Sequence, residues 1–223
     1  MHRKKSKKII FYFFLLISVS SITNISLNKS QFYKIQNIYV SGLDEKNNEI
    51  LLEHIRNLNL GNIFFLNRKE INELINTNNL IEKYKITKNY PSTITIEIQK
   101  TDFLANINIQ GKNFLIGTNG KLIFDENKYK HLPYIFGQPN IEEFLKFKNI
   151  IDDSKFSYSE IKNLYFFPSK RWDIQLKNNT LLKLSKNFSK ETLDNIYIFL
   201  KDYNLENTFI VDTRINNQII IND

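Results

Sequence analysis

The sequence predicts an α+β protein in which a single N-terminal transmembrane helix precedes a β-α-α-β-β module and a β-rich C-terminal module with a few helices. Three observations support this prediction. A long uncharged stretch follows a basic N-terminus, alternating isoleucines close a region of helical spacing, and turn signals separate short apolar runs in the second half of the 223-residue chain.

The net charge of +8 arises mainly at the N-terminus, where residues 1–8 hold cations and no acid. The rest of the chain has 26 basic and 23 acidic residues, a balance that argues against a nucleic-acid-binding face. The absence of cysteine excludes thiolate metal sites and thiol nucleophiles, and three scattered histidines argue against a zinc site. The terminal cations, interpreted as a topology signal, are Arg3, Lys4, Lys5, Lys7 and Lys8.

Residues 9–27 carry no charge, and roughly 19 residues at about 1.5 Å each just cross a bilayer core of about 30 Å. By the positive-inside rule the cations stay in the cytoplasm, which puts the chain after Leu27 outside. A cleaved signal peptide is the alternative, because the dense apolar part is short and Ser18-Val19-Ser20 is a tolerable cleavage site. Both interpretations export the following residues.

The first exported module is predicted as β-α-α-β-β. Its last strand is the clearest, because Ile94, Ile96 and Ile98 alternate with polar residues and therefore share one face. His54 is expected on the buried side of the first helix, as a core histidine rather than a ligand. The predicted elements are a strand over 32–41, a helix over 47–58, a helix capped by Asn67, and strands over 81–89 and 93–98.

Turn signals divide the second module into short strands. Asn119-Gly120 predicts a tight hairpin in which both turn residues take positive φ, and Lys177-Asn178-Asn179 marks another hairpin. Strands are predicted over 105–109, 114–116, 121–124, 172–176, 180–184, 209–212 and 218–221, with an extended segment at 132–137 and helices at 141–151 and 189–203.

The two modules together resemble the FtsQ family of bacterial cell-division proteins, called DivIB in Gram-positive species. The most specific match is the run Tyr90-Pro91-Ser92-Thr93-Ile94-Thr95-Ile96-Glu97-Ile98. Departures include Thr213 in place of a leucine and a motif after the third strand of which only Ala105 survives. Further matches lie at 35–42, 61–66, 119–124, 132–137, 171–176 and 211–214.

The resemblance implies a domain organisation and a function. The segments are a cytoplasmic tail (1–8), a transmembrane helix (9–27), a linker (28–34), a POTRA domain (35–101) and an FtsQ-type β-rich domain (102–223). The function implied is an essential-type division scaffold of the inner membrane, concentrated at the septum with its bulk in the periplasm. It would couple the cytoplasmic division ring to septal wall synthesis.

The implied partners are the membrane proteins FtsB and FtsL, lipid around residues 9–27, and other division proteins on the POTRA domain. The last strand is the candidate site: at a sheet edge its free backbone groups would pair with a partner strand, whereas an internal strand would not. Arg214 would pair with an acidic partner residue. Because Asp212 and Arg214 are two residues apart on one strand face, a structural ion pair or an edge contact is favoured over acid–base chemistry for them. The candidate partner-binding residues are Arg214, Ile215, Asn217, Gln218, Ile219, Ile220 and Ile221.

Other functional classes have weaker support. The chain shows no enzyme signature, and no catalytic residue, cofactor or small-molecule substrate is predicted. The alternative is an exported POTRA-bearing chaperone or docking protein for outer-membrane assembly or secretion, but such proteins usually carry repeated units and a long barrel. Aromatic residues are interspersed with basic residues, as they are in grooves that bind single-stranded nucleic acid, but core packing is expected for these aromatic residues. They are Phe64, Phe65, Phe114, Phe166, Phe167 and Trp172.

Overall fold

The computed structural model describes residues 7–22, 34–125, 129–202, 209–215 and 218–222. Of the residues singled out above, Arg3, Lys4, Lys5 and Asn217 lie outside these ranges, as do residues 23–27 of the predicted span and most of the linker. The chain divides into two compact units. The first unit comprises Met1–Asn78 and Lys83–Gln99, and the second comprises Asn79–Glu82 and Lys100–Asp223.

The N-terminal helix α1 covers Lys7–Ile22, 16 residues in all, which corresponds to a length of about 24 Å. Its apolar side chains are exposed from Ile9 to Val19. Among the residues that the structure describes, no helix combines the length and the apolar character needed to cross a membrane. The transmembrane helix over 9–27 stays a prediction.

The first unit contains the predicted β-α-α-β-β order, which is confirmed. The elements are β1 (Asn37–Ser41), α2 (Glu45–Asn57), α3 (Arg68–Thr77), β2 (Ile81–Asn89) and β3 (Thr93–Lys100), of which Ile81, Glu82 and Lys100 belong to the second unit. The central strand β3 lies between β1 and β2, and β1 runs parallel to it with Ile38 opposite Ile94 and Val40 opposite Ile96. Isoleucines on the core face of β3 pack in a core that also includes Leu51, Ile55, Ile63, Ile71 and Ile75.

Helix starts in this unit follow the sequence, but the position of His54 does not. The Asn67 side chain accepts a hydrogen bond from the Lys69 N–H, so the predicted cap of α3 is confirmed. His54 is exposed, contrary to the expectation of a buried histidine. Leu51 and Ile55 hold the buried face of α2, and a one-residue step from Ile55 rotates the side chain by about 100° around the helix.

The second unit is built on a nine-stranded sheet. From one edge to the other the strands run β12-β11-β10-β9-β8-β7-β4-β5-β6. The strands are β4 (Phe103–Ile109), β5 (Lys112–Gly117), β6 (Leu122–Phe124), β7 (Tyr134–Phe136), β8 (Ile161–Phe166), β9 (Trp172–Leu176), β10 (Leu181–Lys183), β11 (Ile210–Asp212) and β12 (Ile220–Asn222). The helices are α4 (Ile141–Asp153) and α5 (Lys190–Asp202), and a 3-10 turn at Tyr158–Glu160 precedes β8.

Strand β8, at the centre of this sheet, has no counterpart in the sequence-based prediction. Its pairing with β9 shifts register between Ile161 and Asn163. The shift leaves Ile161 and Leu164, which are three residues apart, both buried. A β-bulge thus breaks the two-residue alternation by which a strand is recognised in a sequence.

The hairpin predicted at Asn119-Gly120 is present, because β5 and β6 pair in antiparallel fashion on either side of it, but its two turn residues do not both have positive φ. Gly120 has a φ of +71°, but Asn119 does not share this conformation. The turn with two positive φ angles is Gln110-Gly111, between β4 and β5. The Asn119 amide instead donates to the Ile81 carbonyl at 3.0 Å, so this residue ties two segments of the second unit together.

The aromatic residues expected in the core do not all lie there. Trp172 is buried, with its ring centroid 4.3 Å from that of Phe147 and 4.8 Å from that of Phe166. Phe64 and Phe65, in contrast, are 51% and 78% exposed. Core packing is therefore the wrong prediction for these two, because neighbouring residues of the same loop occupy the core positions.

Candidate partner-binding site

The last strand lies at an edge of the nine-stranded sheet. β12 pairs with β11 in antiparallel fashion, with Ile221 opposite Val211 and Ile220 opposite Asp212. Among the described strands, none pairs with its other side. Its outward backbone N–H and C=O groups therefore lie at an open sheet edge, where another strand can add.

Apolar side chains accompany this edge. Ile215 is 54% exposed, and Ile219, Ile220 and Ile221 are between 37% and 39% exposed. Directly opposed residues of an antiparallel pair point to the same face, so Ile221 lies on the face of buried Val211. Ile220, one residue earlier, points to the opposite face. A strand added here would meet isoleucines on both faces.

A groove lies between the segment before β12 and helix α5. Its volume is about 470 Å³. Three of the predicted site residues, Ile215, Gln218 and Ile219, line one side of it. The other lining residues come from separate segments of the chain, so the sequence offered no signal for them. They include Ser185, Asn187, Thr192, Asn195 and Ile196.

Arg214 is held by Asp212, as the favoured structural interpretation predicts. The Arg214 Nε lies 2.9 Å from both carboxylate oxygens, and the Arg214 backbone N–H donates to Oδ1 at 3.1 Å. The hydrogen bonds from Arg214 lower the pKa of Asp212. The arginine side chain is still 45% exposed, so its guanidinium is positioned beside the edge and reachable from solvent.

The ion pair belongs to a row of charges that crosses three strands. Lys183 on β10 is in register with Asp173 on β9 and with Asp212 on β11. Opposite charges on directly opposed residues stabilise a sheet by about 0.2–1 kcal/mol per pair. Arg171 bonds to Asp173 at 3.1 Å, repeating the two-residue spacing of Asp212 and Arg214.

The surroundings shift the pKa values of Asp173 and Asp212 in opposite directions. Asp173 is 3% exposed, and burial raises its pKa despite the neighbouring Arg171. Asp212, with its lowered pKa, contributes stability above the unfolded pKa of about 3.9, and this contribution is lost as the pH falls. The raised pKa of Asp173 has the reverse effect, because its contribution is present at acidic pH and is lost as the pH rises through the folded-state value.

Matched variants, Asp212→Asn and Asp173→Asn, test this contrast. Between pH 2 and pH 5, wild type is expected to gain stability relative to Asp212→Asn as the pH rises, and between pH 4 and pH 7 it is expected to lose stability relative to Asp173→Asn. Urea unfolding followed by the fluorescence of Trp172, the chain's only tryptophan, measures both differences in the second unit. Differences that move in the same direction with pH would contradict the assignment.

Comparisons with known proteins give consistent results. A family model described as "POTRA domain, FtsQ-type" matches residues 33–100. "Cell division protein DivIB" of Clostridium botulinum (strain Loch Maree / Type A3) is 29% identical over 153 residues, which cover 66% of this chain and 59% of that protein. The chain thus spans about three fifths of the length of this relative.

The relatives from Rickettsia are named FtsQ, whereas the relative from Clostridium is named DivIB. "Cell division protein FtsQ" of Rickettsia bellii (strain RML369-C) is 25% identical over 160 residues, covering 71% of this chain and 60% of that protein. The protein of the same name from Rickettsia typhi (strain ATCC VR-144 / Wilmington) is 22% identical over 206 residues, which cover 90% of this chain and 77% of that protein. Among solved structures, the major extracytoplasmic domain of DivIB from Geobacillus stearothermophilus has a TM-score of 0.35 and 10% identity, covering 48% of this chain and 98% of that one.

Proposed function

We propose that the chain is a member of the FtsQ/DivIB family and acts in bacterial cell division as an essential-type, non-enzymatic scaffold of the inner membrane. In this role it recruits and links membrane proteins of the division machinery at the septum. It thereby couples the cytoplasmic division ring to septal wall synthesis in the periplasm. The observation that carries the proposal is the exposed, isoleucine-bearing edge strand β12 beside a groove.

The proposed topology follows from the N-terminal sequence. The basic residues up to Lys8 remain in the cytoplasm, residues 9–27 lie in the membrane lipid, and both folded units lie in the periplasm. Support comes from the uncharged run and from the exposure of every described apolar side chain of α1. An anchored scaffold searches for partners in two dimensions, which favours encounters with other membrane proteins.

The proposed partners at β12 are FtsB and FtsL-like proteins. A partner strand pairs with the outward backbone groups of β12, which supplies affinity, and its side chains contact Ile219, Ile220 and Ile221. The groove along α5 accepts the partner residues that flank this strand. Arg214 uses its remaining guanidinium donors to bind a partner carboxylate, since its hydrogen bonds with Asp212 hold the planar group in one orientation.

Proline substitutions in β12 test strand addition. In an antiparallel pair the hydrogen-bonded positions alternate, so of Ile220 and Ile221 one directs its N–H to β11 and the other directs it outward. Ile220→Pro and Ile221→Pro are therefore a matched pair. The outward-facing one is expected to weaken FtsB–FtsL capture by roughly tenfold or more, since a donor is lost and the ring obstructs the partner. Amide exchange of wild type identifies which residue faces outward.

The inward-facing variant reports the effect on β11–β12 pairing alone, and Trp172 fluorescence verifies folding of the second unit in both. Undiminished capture by both folded variants would rule out strand addition.

A fluorescent fusion of the full chain tests the wider role in cell division. Midcell localisation supports it, whereas an even envelope signal without a division defect on depletion would overturn the division role itself.

A further inference from the structure

We propose that the first unit rests on the surface of the membrane through an aromatic patch formed by Phe64, Phe65 and Tyr90. The inference relies on the membrane anchor of the proposed function and goes beyond it. It assigns a lipid contact to a folded periplasmic unit, separate from the partner site at β12. The occupant is the headgroup region of a bilayer that contains anionic lipid.

The two phenylalanines are held outward by the structure of their own loop. Ile63 is fully buried and Leu66 is 8% exposed, so these two residues fill the adjacent core positions. The Asn62 side chain accepts from the Phe64 N–H at 2.9 Å, and the Asn62 carbonyl accepts from the Phe65 N–H at 3.2 Å. The exposure of Phe64 and Phe65 is therefore a feature of an ordered loop.

A second loop completes the patch. Tyr90, 59% exposed in the turn between β2 and β3, stacks on Phe64 with ring centroids 5.0 Å apart. The Lys88 ammonium donates to the Phe64 carbonyl at 3.4 Å. Aromatic rings beside a lysine are the composition that membrane-interface segments use, because the rings enter the headgroup layer while the cation meets lipid phosphate.

The patch lies where the folded part of the first unit begins. Lys34 forms a β-bridge with Asn62, and the Ile35 N–H donates to the Gly61 carbonyl at 3.2 Å. On the Tyr90 side, the Gln36 N–H donates to the Ser92 carbonyl at 2.9 Å. Residues 23–33 separate α1 from this point and span at most roughly 40 Å. The anchor thus keeps both loops within reach of the bilayer.

Charge also favours a lipid surface over the alternatives. Residues 54–68 contain Arg56 and Arg68 and no acid, and residues 86–96 contain Lys88 and no acid. A groove of about 350 Å³ near the same loop has Lys34 and Arg56 as its charged lining residues. A cationic surface close to an anchored chain attracts anionic headgroups, by about 1 kcal/mol per cation near the surface. A protein partner is the competing occupant and an outcome of the test.

Labels at single introduced cysteines test the proposal on the full chain, which has none of its own. Phe65→Cys places a spin label in the patch. Lys83→Cys is the matched control, because Lys83 is exposed on the same strand as Asn89 and lies roughly 20 Å further along it. The labelled chains are reconstituted in vesicles of phosphatidylcholine with phosphatidylglycerol, and relaxation by oxygen is compared with relaxation by a water-soluble metal complex.

The ratio of oxygen to water-soluble relaxation is expected to be several-fold higher at position 65 than at position 83. In Phe65→Trp, which keeps an aromatic ring, the fluorescence of the introduced tryptophan is expected to be quenched by lipids brominated near the headgroup, while the fluorescence of buried Trp172 is not.

If the chain floats with the vesicles but both positions are equally accessible to the water-soluble complex, the patch inference is wrong and the scaffold proposal is unaffected. If the chain does not float with the vesicles, the anchor of the proposed function is wrong. Protection at 65 that requires added division proteins would assign the patch to a protein instead.

Discussion

Gly42→Ala is expected to destabilise the first unit by about 3 kcal/mol or more, because the added methyl group has no space. A Cβ at this position would lie 1.8 Å from the Ile98 carbonyl oxygen and 2.7 Å from its carbon. The φ of +111° is also a conformation that side chains with a Cβ rarely adopt. The close approach arises because Gly42 directly follows β1, which is paired with β3 up to Glu97.

Gly61→Ala is the matched control within the same unit. Its φ of +64° is also positive, but nothing lies within 4 Å of the added Cβ, so the expected loss is about 1 kcal/mol. Hydrogen exchange at the buried strand β3 measures both effects, since Trp172 belongs to the second unit. Equal protection losses in the two variants would show that the contact with Ile98 does not limit this position.

Phe147→Ala is expected to destabilise the second unit by about 3–5 kcal/mol. Phe147 is 2% exposed, and its ring lies 4.3 Å from that of Trp172 with an angle of 21° between the planes. It also contacts Phe188, with ring centroids 5.6 Å apart. Removal of this ring leaves a cavity between α4 and the sheet and deprives Trp172 of a stacking partner.

The effect can be followed by urea unfolding through Trp172 fluorescence. Phe124→Ala is the control, because Phe124 is 56% exposed on edge strand β6 and its loss is expected to cost less than about 1 kcal/mol. A midpoint for Phe147→Ala that matches the Phe124→Ala midpoint would contradict the packing described for the core.

Local patterns in the sequence predict much of the fold. The alternation of Ile94, Ile96 and Ile98 identifies β3 and its buried face, and Asn67 marks the start of α3. Such features depend on residues within one or two turns of each other, which sequence reasoning can read directly. The missed strand β8 shows the limit, because its bulge replaces the expected spacing with two buried residues three positions apart.

The candidate site was predictable in part. The final strand and the Asp212–Arg214 pair are both visible as short-range patterns. The groove is not, because Thr192 and Asn195 reach it from α5, and the charge row is not, because Asp173 and Asp212 are brought together only by Lys183 on the strand between them. The exposure of Phe64 and Phe65 likewise depends on which loop residues fill the core.

By itself, the sequence determined the order of the elements, the family resemblance and the basic segment ahead of an apolar one, since each follows from neighbouring residues. Only the tertiary structure decided that β12 lies at a sheet edge, that Ile220 and Ile221 face opposite sides of it, and that an aromatic patch adjoins the start of the first unit. The physical reason is that strand order, register and burial depend on pairing between segments far apart in the chain, for which a single sequence carries no local signal.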